Sequence, residues 1–335
     1  MKMNKQYPTA PEAVFFSMTD ECPMRCNVCS MWAQKDPSDA MTKEDRLATI
    51  DQLPEFGRPI HVIATGGEPF LRLDQLLAMS RKLKAQGNTM GVVTSGYFLT
   101  PTVIENLVGS GITHLAVSLD FPTKEQHDTQ RGRPGTFLRI LDAINRMNEL
   151  RRSGAEVPSI GINTILMAQN LNYIEDLANL AKDLQVKEIL FQPIQPDFGL
   201  SDSVAYVKFR NWLPMTPSLV DKALDELERK RKDIPLGQSP KEFDIIRAYF
   251  RSPLKLKPGT CIGPSLNLMI DVRGNVTHCF GQSRTRLKPL GKVPGANIVD
   301  IWNSERAIDG RNQLSKCSLG CSALLCHCRS SVPNG

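Results

Sequence analysis

The chain has no apolar run near the roughly 18 residues that a membrane-spanning helix needs. Its N-terminus, Met1-Lys2-Met3-Asn4-Lys5-Gln6, carries a little positive charge, but no apolar signal core follows, which argues against secretion and for the cytoplasm. Aromatic residues are scarce, at 6%, and are not interleaved with basic ones, so a base-stacking platform for nucleic acid lacks support. The net charge of +6 is mild. Its densest basic stretch, Arg229-Lys230-Arg231-Lys232, comes after Glu226 and Glu228, an order that suits a solvated helix end better than a nucleic-acid patch. An even cysteine set is also missing: nine cysteines fall in two clusters, which fits reduced, metal-bound thiols better than a disulfide framework. What is present is a 335-residue chain with 41% apolar residues, enough to bury a large core in one barrel-sized unit plus an appendage.

Cys22, Cys26 and Cys29 form a C-x3-C-x2-C run straight after the strand-like Val14-Phe15-Phe16-Ser17-Met18. A closed structural zinc site wants four protein ligands, whereas three thiolates suit a cubane iron-sulfur cluster with one iron open to a non-protein ligand. Pro23 and Asn27 make the segment a loop able to wrap around a metal, with a zinc knuckle as the alternative. Downstream, Ile60 to Ala64 reads as a buried strand running into Thr65-Gly66-Gly67-Glu68-Pro69. The two glycines allow close backbone approach to a ligand, and Glu68 places an acceptor for an ammonium group at the strand end.

Together the cysteine run and Gly66 to Pro69 resemble the radical S-adenosylmethionine (SAM) enzymes, whose cluster loop follows the first barrel strand and whose Gly-Gly-Glu-Pro motif follows the second. The resemblance implies that the amino and carboxylate groups of SAM chelate the open iron, with Gly66, Gly67 and Glu68 holding the amino group. A reduced cluster would then cleave SAM to methionine and a 5'-deoxyadenosyl radical, drawing electrons from a flavodoxin- or ferredoxin-type donor. Val28 departs from the family, which usually has an aromatic residue there beside the adenine.

Six apolar runs (14–18, 60–64, 90–94, 112–119, 160–166 and 188–193) alternate with helical periods, predicting an α/β fold with parallel strands and helical crossovers. Six such units make a partial (β/α)6 TIM-like barrel over 10–195, followed by a helical bridge at 196–257. Barrel chemistry sits at the C-terminal ends of strands, where Thr94, Ser118 and Asn163 stand as candidate cofactor contacts. By the resemblance, Ser118 and Arg131 would meet the SAM carboxylate or ribose.

The last segment, 258–335, holds Cys261, Cys279, Cys317, Cys321, Cys326 and Cys328. Residues 266–272 and 276–279 predict a hairpin through Arg273-Gly274-Asn275, and Asn297 opens a helix. This region resembles the SPASM or twitch extension of radical SAM enzymes, which holds one or two auxiliary 4Fe-4S clusters. Six thiolates fill one cluster with two left over, or supply three to each of two; His278 and His327 are further ligands to test, and zinc is the alternative metal.

The expected function is hydrogen abstraction from a substrate C–H bond, leading to oxidation, with an auxiliary cluster as electron acceptor, or to epimerisation, with a cysteine returning hydrogen. Because the first strand begins near residue 14, without room for a preceding peptide-binding domain, the expected substrate is a small molecule: a sugar, aminocyclitol or related natural-product intermediate. Peptide maturation is the alternative, and a non-catalytic iron-sulfur or zinc protein is the remote one, since it would not explain Gly66 to Pro69.

Overall fold

The computed structural model describes residues 7–195, 209–214, 216–253, 262–280 and 287–317. Six strands, β1 (Ala13–Ser17), β2 (His61–Thr65), β3 (Thr89–Thr94), β4 (Ile112–Ser118), β5 (Ser159–Leu166) and β6 (Glu188–Pro193), pair in parallel, each with the next. Helices α1 (Lys43–Asp51), α2 (Leu73–Ala85), α3 (Pro101–Leu107), α4 (Lys124–Arg131), α5 (Thr136–Arg152) and α6 (Ile174–Asp183) lie in the crossovers. These are the six βα repeats that the apolar periodicity predicts, with strand ends shifted by a residue or two.

Local chemistry fixes the helix starts. Thr42 and Asp45 form a capping box on α1, and Thr100 caps α3 ahead of Pro101, whose fixed φ suits a first helical turn. Asp128 donates nothing and accepts twice, from the backbone N–H groups of Gly135 and Phe137, so the end of α4 orders the start of α5. The buried stripe of α5, including Phe137, Ile140, Ile144 and Met147, then meets the core formed by Val62, Leu115 and Ile162 on alternate strand positions.

The tail differs from a separate appendage. Strand β7 (Asn267–Ile270) pairs in parallel with β1, so that Ala13 faces Asn267 and Phe16 faces Ile270. The predicted hairpin is present as β7 and β8 (Asn275–Thr277), and β9 (Gly291–Lys292) completes a nine-stranded sheet of order β6-β5-β4-β3-β2-β1-β7-β8-β9. Backbone N–H groups of β1 and β7 donate to carbonyls across the pair, so the tail covers one open edge of the core sheet. Helices α7 (Pro217–Arg229) and α8 (Pro240–Arg251) occupy the bridge, and α9 (Ile298–Asn303) and α10 (Glu305–Leu314) the tail.

Candidate active site

The C-terminal ends of the parallel strands surround a cavity of about 410 Å3. Cys22, Cys26 and Cys29 line it from the loop after β1, Gly66 and Gly67 from the turn after β2, and Thr94, Ser118 and Arg131 from β3, β4 and α4. Eight of the sequence-predicted residues therefore share one cavity. Glu68, Pro69 and Asn163 do not line it.

The loop after β1 is held at both ends. Asp36 accepts from Thr19 Oγ1 at 2.8 Å and from the Asp20 backbone N–H at 2.6 Å. Arg72, after the Gly-Gly turn, reaches both Asp36 at 2.7 Å and Glu21 at 3.2 Å. Buried Arg46 on α1 donates to the carbonyls of Met41 and Met18. Arg72 thus ties the segment after the Gly-Gly turn to the cysteine loop through two carboxylates, Asp36 and Glu21, while Arg46 anchors the end of β1 to α1.

The glycines are crowded from within the chain. A Cβ on Gly66 would overlap the carbonyl oxygen of Thr19, and one on Gly67 that of Glu21; Gly66 also has φ +117°. Gly67 N–H donates to Thr19 O at 2.7 Å and Glu68 N–H to Glu21 O at 3.0 Å. The close approach of the turn to the cysteine loop by itself requires glycine at both positions.

Glu68 likewise spends its acceptor capacity within the protein. Its carboxylate accepts from Thr94 Oγ1 at 2.7 Å, from the Ser95 backbone N–H at 2.9 Å, from Ser95 Oγ and from the Phe70 backbone N–H at 3.3 Å. Burial raises its pKa while these four donors oppose the rise. Glu68 and Thr94 consequently fix the ends of β2 and β3 relative to each other. Asn163 has a buried Oδ1 with no hydrogen-bond partner, while its backbone carbonyl accepts from Leu119 N–H at 3.0 Å.

Behind Cys26 lies a buried ion pair. Arg131 NH2 is 2.7 Å from Asp120 Oδ2, and its NH1 is 4.0 Å from Cys26 Sγ. Burial alone would lower the Arg131 pKa, but Asp120 and the Cys26 thiolate outweigh it and raise it. Asp120 Oδ1 accepts from Ile165 N–H at 3.0 Å, and its own N–H donates to His127 Nδ1 at 3.2 Å. Arg131 is thereby pinned with a positive charge beside a cysteine sulfur.

The donor set fits an iron-sulfur cluster. Burial pushes the Cys22 thiol up to about 12, and Glu68, Cys26 and Cys29 push in the same direction against one backbone N–H. Thiolates so placed are stable when strongly cationic iron neutralises them. Among the described residues, no three His, Cys, Asp or Glu side chains converge on a point as a single ion requires. The cysteines instead face a cavity, with Met31 N–H donating to Cys29 Sγ at 3.4 Å.

Two wall residues carry further information. Val28 lines the cavity, so the position where the family has an aromatic ring presents a small aliphatic surface. Phe280, beyond β8, also lines it and packs edge-on against Phe15 of β1 at 5.3 Å. Sequence reasoning missed Phe280; its position directly after Cys279 was the available signal.

In the tail, Cys279 is buried and Cys317 half-buried at the end of α10. Cys261, Cys321, Cys326, Cys328 and His327 lie outside the described residues. His278 is a core histidine: its ring donates to the Ala307 carbonyl at 2.9 Å and packs where a side chain on Gly310 would stand.

With this geometry in view, residues 16–181 match the radical SAM superfamily and residues 261–327 the SPASM iron-sulfur cluster-binding domain. The chain belongs to the radical SAM enzymes with a SPASM extension, and its cofactors are SAM, a 4Fe-4S cluster and auxiliary iron-sulfur clusters. It is 32% identical over 176 residues to an AdoMet-dependent heme synthase of Methanosarcina barkeri, covering 52% of this chain and 48% of the relative. The chain thus spans about half the length of the heme synthases it matches. A PqqA peptide cyclase of Rhizobium meliloti is 21% identical across 89% of this chain and 75% of that protein. Streptococcus suis SuiB, solved with its precursor peptide SuiA, superposes with a TM-score of 0.70 at 13% identity, over 94% of this chain and 72% of SuiB, which shows a shared fold.

These relatives correct the expected small-molecule substrate. PqqA peptide cyclases match along most of the chain, which favours a peptide over a sugar or aminocyclitol. The place where β1 begins carried no information about substrate class. No helix of the described residues is long and apolar enough to cross a membrane.

Proposed function

We propose that the chain modifies a peptide by radical chemistry at the cavity framed by Cys22, Cys26 and Cys29. The observation that carries this reading is the meeting of the three cysteines, the Gly66-Gly67 turn and Arg131 around a single cavity. The peptide class rests on the likeness to PqqA peptide cyclases over 89% of the chain. Bound together, the reduced cluster and SAM would supply hydrogen-atom abstraction from an unactivated C–H bond.

The chain's own residues hold and orient. Cys22, Cys26 and Cys29 would ligate the cluster, while Gly66 and Gly67 present backbone to the amino acid end of SAM. Ser118 and Arg131 offer a hydroxyl and a cation to its carboxylate or ribose, although Arg131 is already shared with Asp120. Val28, Ile165 and Phe280 form apolar wall that keeps water from the reacting centre. Of the tail thiols, Cys279 and Cys261 are the auxiliary-cluster ligands we favour.

Deuterium transfer tests the substrate class. Anaerobically reconstituted protein, SAM and reductant are incubated with deuterated forms of a short peptide encoded beside the gene, and 5'-deoxyadenosine is analysed by mass spectrometry. Deuterium in 5'-deoxyadenosine, with a matching mass change in the peptide, is expected. Deuterium transfer from a tetrapyrrole and none from peptide would overturn the peptide assignment in favour of chemistry like that of the heme synthases.

A further inference from the structure

A connected basic and aromatic stripe runs over the outside of the cysteine loop, away from the cavity. Its first member is exposed Arg25, between Cys22 and Cys26, whose guanidinium lies 4.9 Å from the centre of the Trp32 ring. Trp32 is 38% exposed and donates its indole N–H to Cys29 O at 2.8 Å. The Arg25 backbone N–H donates to Arg131 O at 3.1 Å, which places the α4–α5 connection against the loop. There Arg133 donates to Pro23 O at 3.3 Å and to the Tyr97 hydroxyl at 3.0 Å. Arg133 and Arg139 each stand 4.3 Å from the centre of the Tyr97 ring. Leu138, beside Arg139 in sequence, is 47% exposed.

Three features make this stripe a protein-docking surface. Arg25, Arg133 and Arg139 form no ion pair with a carboxylate among the described residues; their partners are backbone carbonyls, the Tyr97 hydroxyl and aromatic faces. Arginine and aromatic side chains predominate, with exposed Trp32 and Leu138 at its margins, the composition that interfaces favour. None of Arg25, Trp32, Tyr97, Arg133 and Arg139 lines the cavity. A cavity of about 410 Å3 has room for a cofactor and a side chain and no room for a second folded protein.

We propose that this stripe docks an acidic one-electron carrier protein, placing its redox group against the Cys22–Cys29 loop. This rests on the cluster assignment made above. In the transfer, one electron leaves the reduced carrier, which is oxidised by one equivalent, and the cluster accepts it; no bond is made or broken. Complementary charge would speed encounter, and the dependence would fade as salt screens it.

The test uses reconstituted full-length protein and Arg133→Glu/Arg139→Glu, with Arg139→Lys as a charge-conserving control. Cluster bleaching is followed by anaerobic stopped flow with two reductants, reduced flavodoxin and photoreduced deazaflavin. For the double variant we expect flavodoxin reduction slowed by about tenfold or more at low ionic strength, with normal rates for deazaflavin and for Arg139→Lys, and a gap that narrows at high salt. Unchanged flavodoxin rates, or equal slowing with both reductants, would overturn the docking assignment. So would a variant in which only the peptide KM rises, since the stripe would then serve substrate. Failure of deazaflavin to reduce any cluster in the wild-type protein would instead refute the cluster assignment itself.

Discussion

Gly67 shows how a single missing side chain sets this site. Its Cα faces the Glu21 carbonyl so closely that any Cβ overlaps it, and the Gly67 N–H bonds the adjoining Thr19 carbonyl. Gly67→Ala should push the turn off the cysteine loop at a cost of about 1–3 kcal/mol, the usual range for overpacking. Urea denaturation of the metal-free protein would measure that loss, and SAM affinity should fall in the reconstituted variant. The sequence made the glycines visible as a site of close approach, but it did not reveal that the cysteine loop is packed against them. Which face of a turn is crowded depends on where the other loop lies, and no local pattern encodes that. Glu68 was legible as important in the same way, while its donors within the chain, Thr94 and Ser95, lie about one βα unit downstream and no local pattern announces them.

At the level of elements, strand and helix positions were readable because apolar period and caps are local signals, as at Thr100 and Pro101. The pairing of β1 with β7 was not, since it joins residues some 250 positions apart. The contact of α4 with the end of β4 is another non-local feature, and it makes a pH prediction. His127 on α4 is fully buried and accepts from Asp120 N–H; burial, with Arg131 adding, keeps its pKa well below the ordinary 6.5. In the unfolded chain the same imidazole takes up a proton below about 6.5. The unfolded state then binds more protons, so the contribution of neutral His127 is complete above that pH and is lost as pH falls. Urea titrations of metal-free protein between pH 7 and pH 5 should show the slope approach about 1.4 kcal/mol per pH unit from this group. His127→Asn, which keeps an acceptor and binds no proton, should flatten that component. An equal slope in both proteins would place the titration elsewhere.

Over the whole molecule, the sheet gathers at one end what the sequence scatters over more than a hundred residues. Loop, turn and strand ends converge because parallel strands with helical crossovers all point the same way, and the tail adds Phe280 to that end through the β1–β7 pairing. Fold class was legible because apolar periodicity repeats along the chain, and cofactor chemistry because it rests on short, dense motifs. Substrate class was not: the cavity is walled by residues such as Phe280, Gln192 and Val28, which share no motif. The buried Asp120–Arg131 pair belongs to this scale too: it ties β4 to α4 and sets a cation beside Cys26.

The central claim, that Cys22, Cys26 and Cys29 hold the cluster that cleaves SAM, meets its most direct test in one comparison. Wild-type protein and the Cys22→Ala/Cys26→Ala/Cys29→Ala variant are reconstituted anaerobically, reduced with SAM, and assayed for 5'-deoxyadenosine alongside iron and sulfide. The expected result is 5'-deoxyadenosine from the wild type alone, with the variant losing about four irons, one cubane's worth, and keeping the tail iron. SAM cleavage by the triple variant, or an unchanged iron content, would contradict the account.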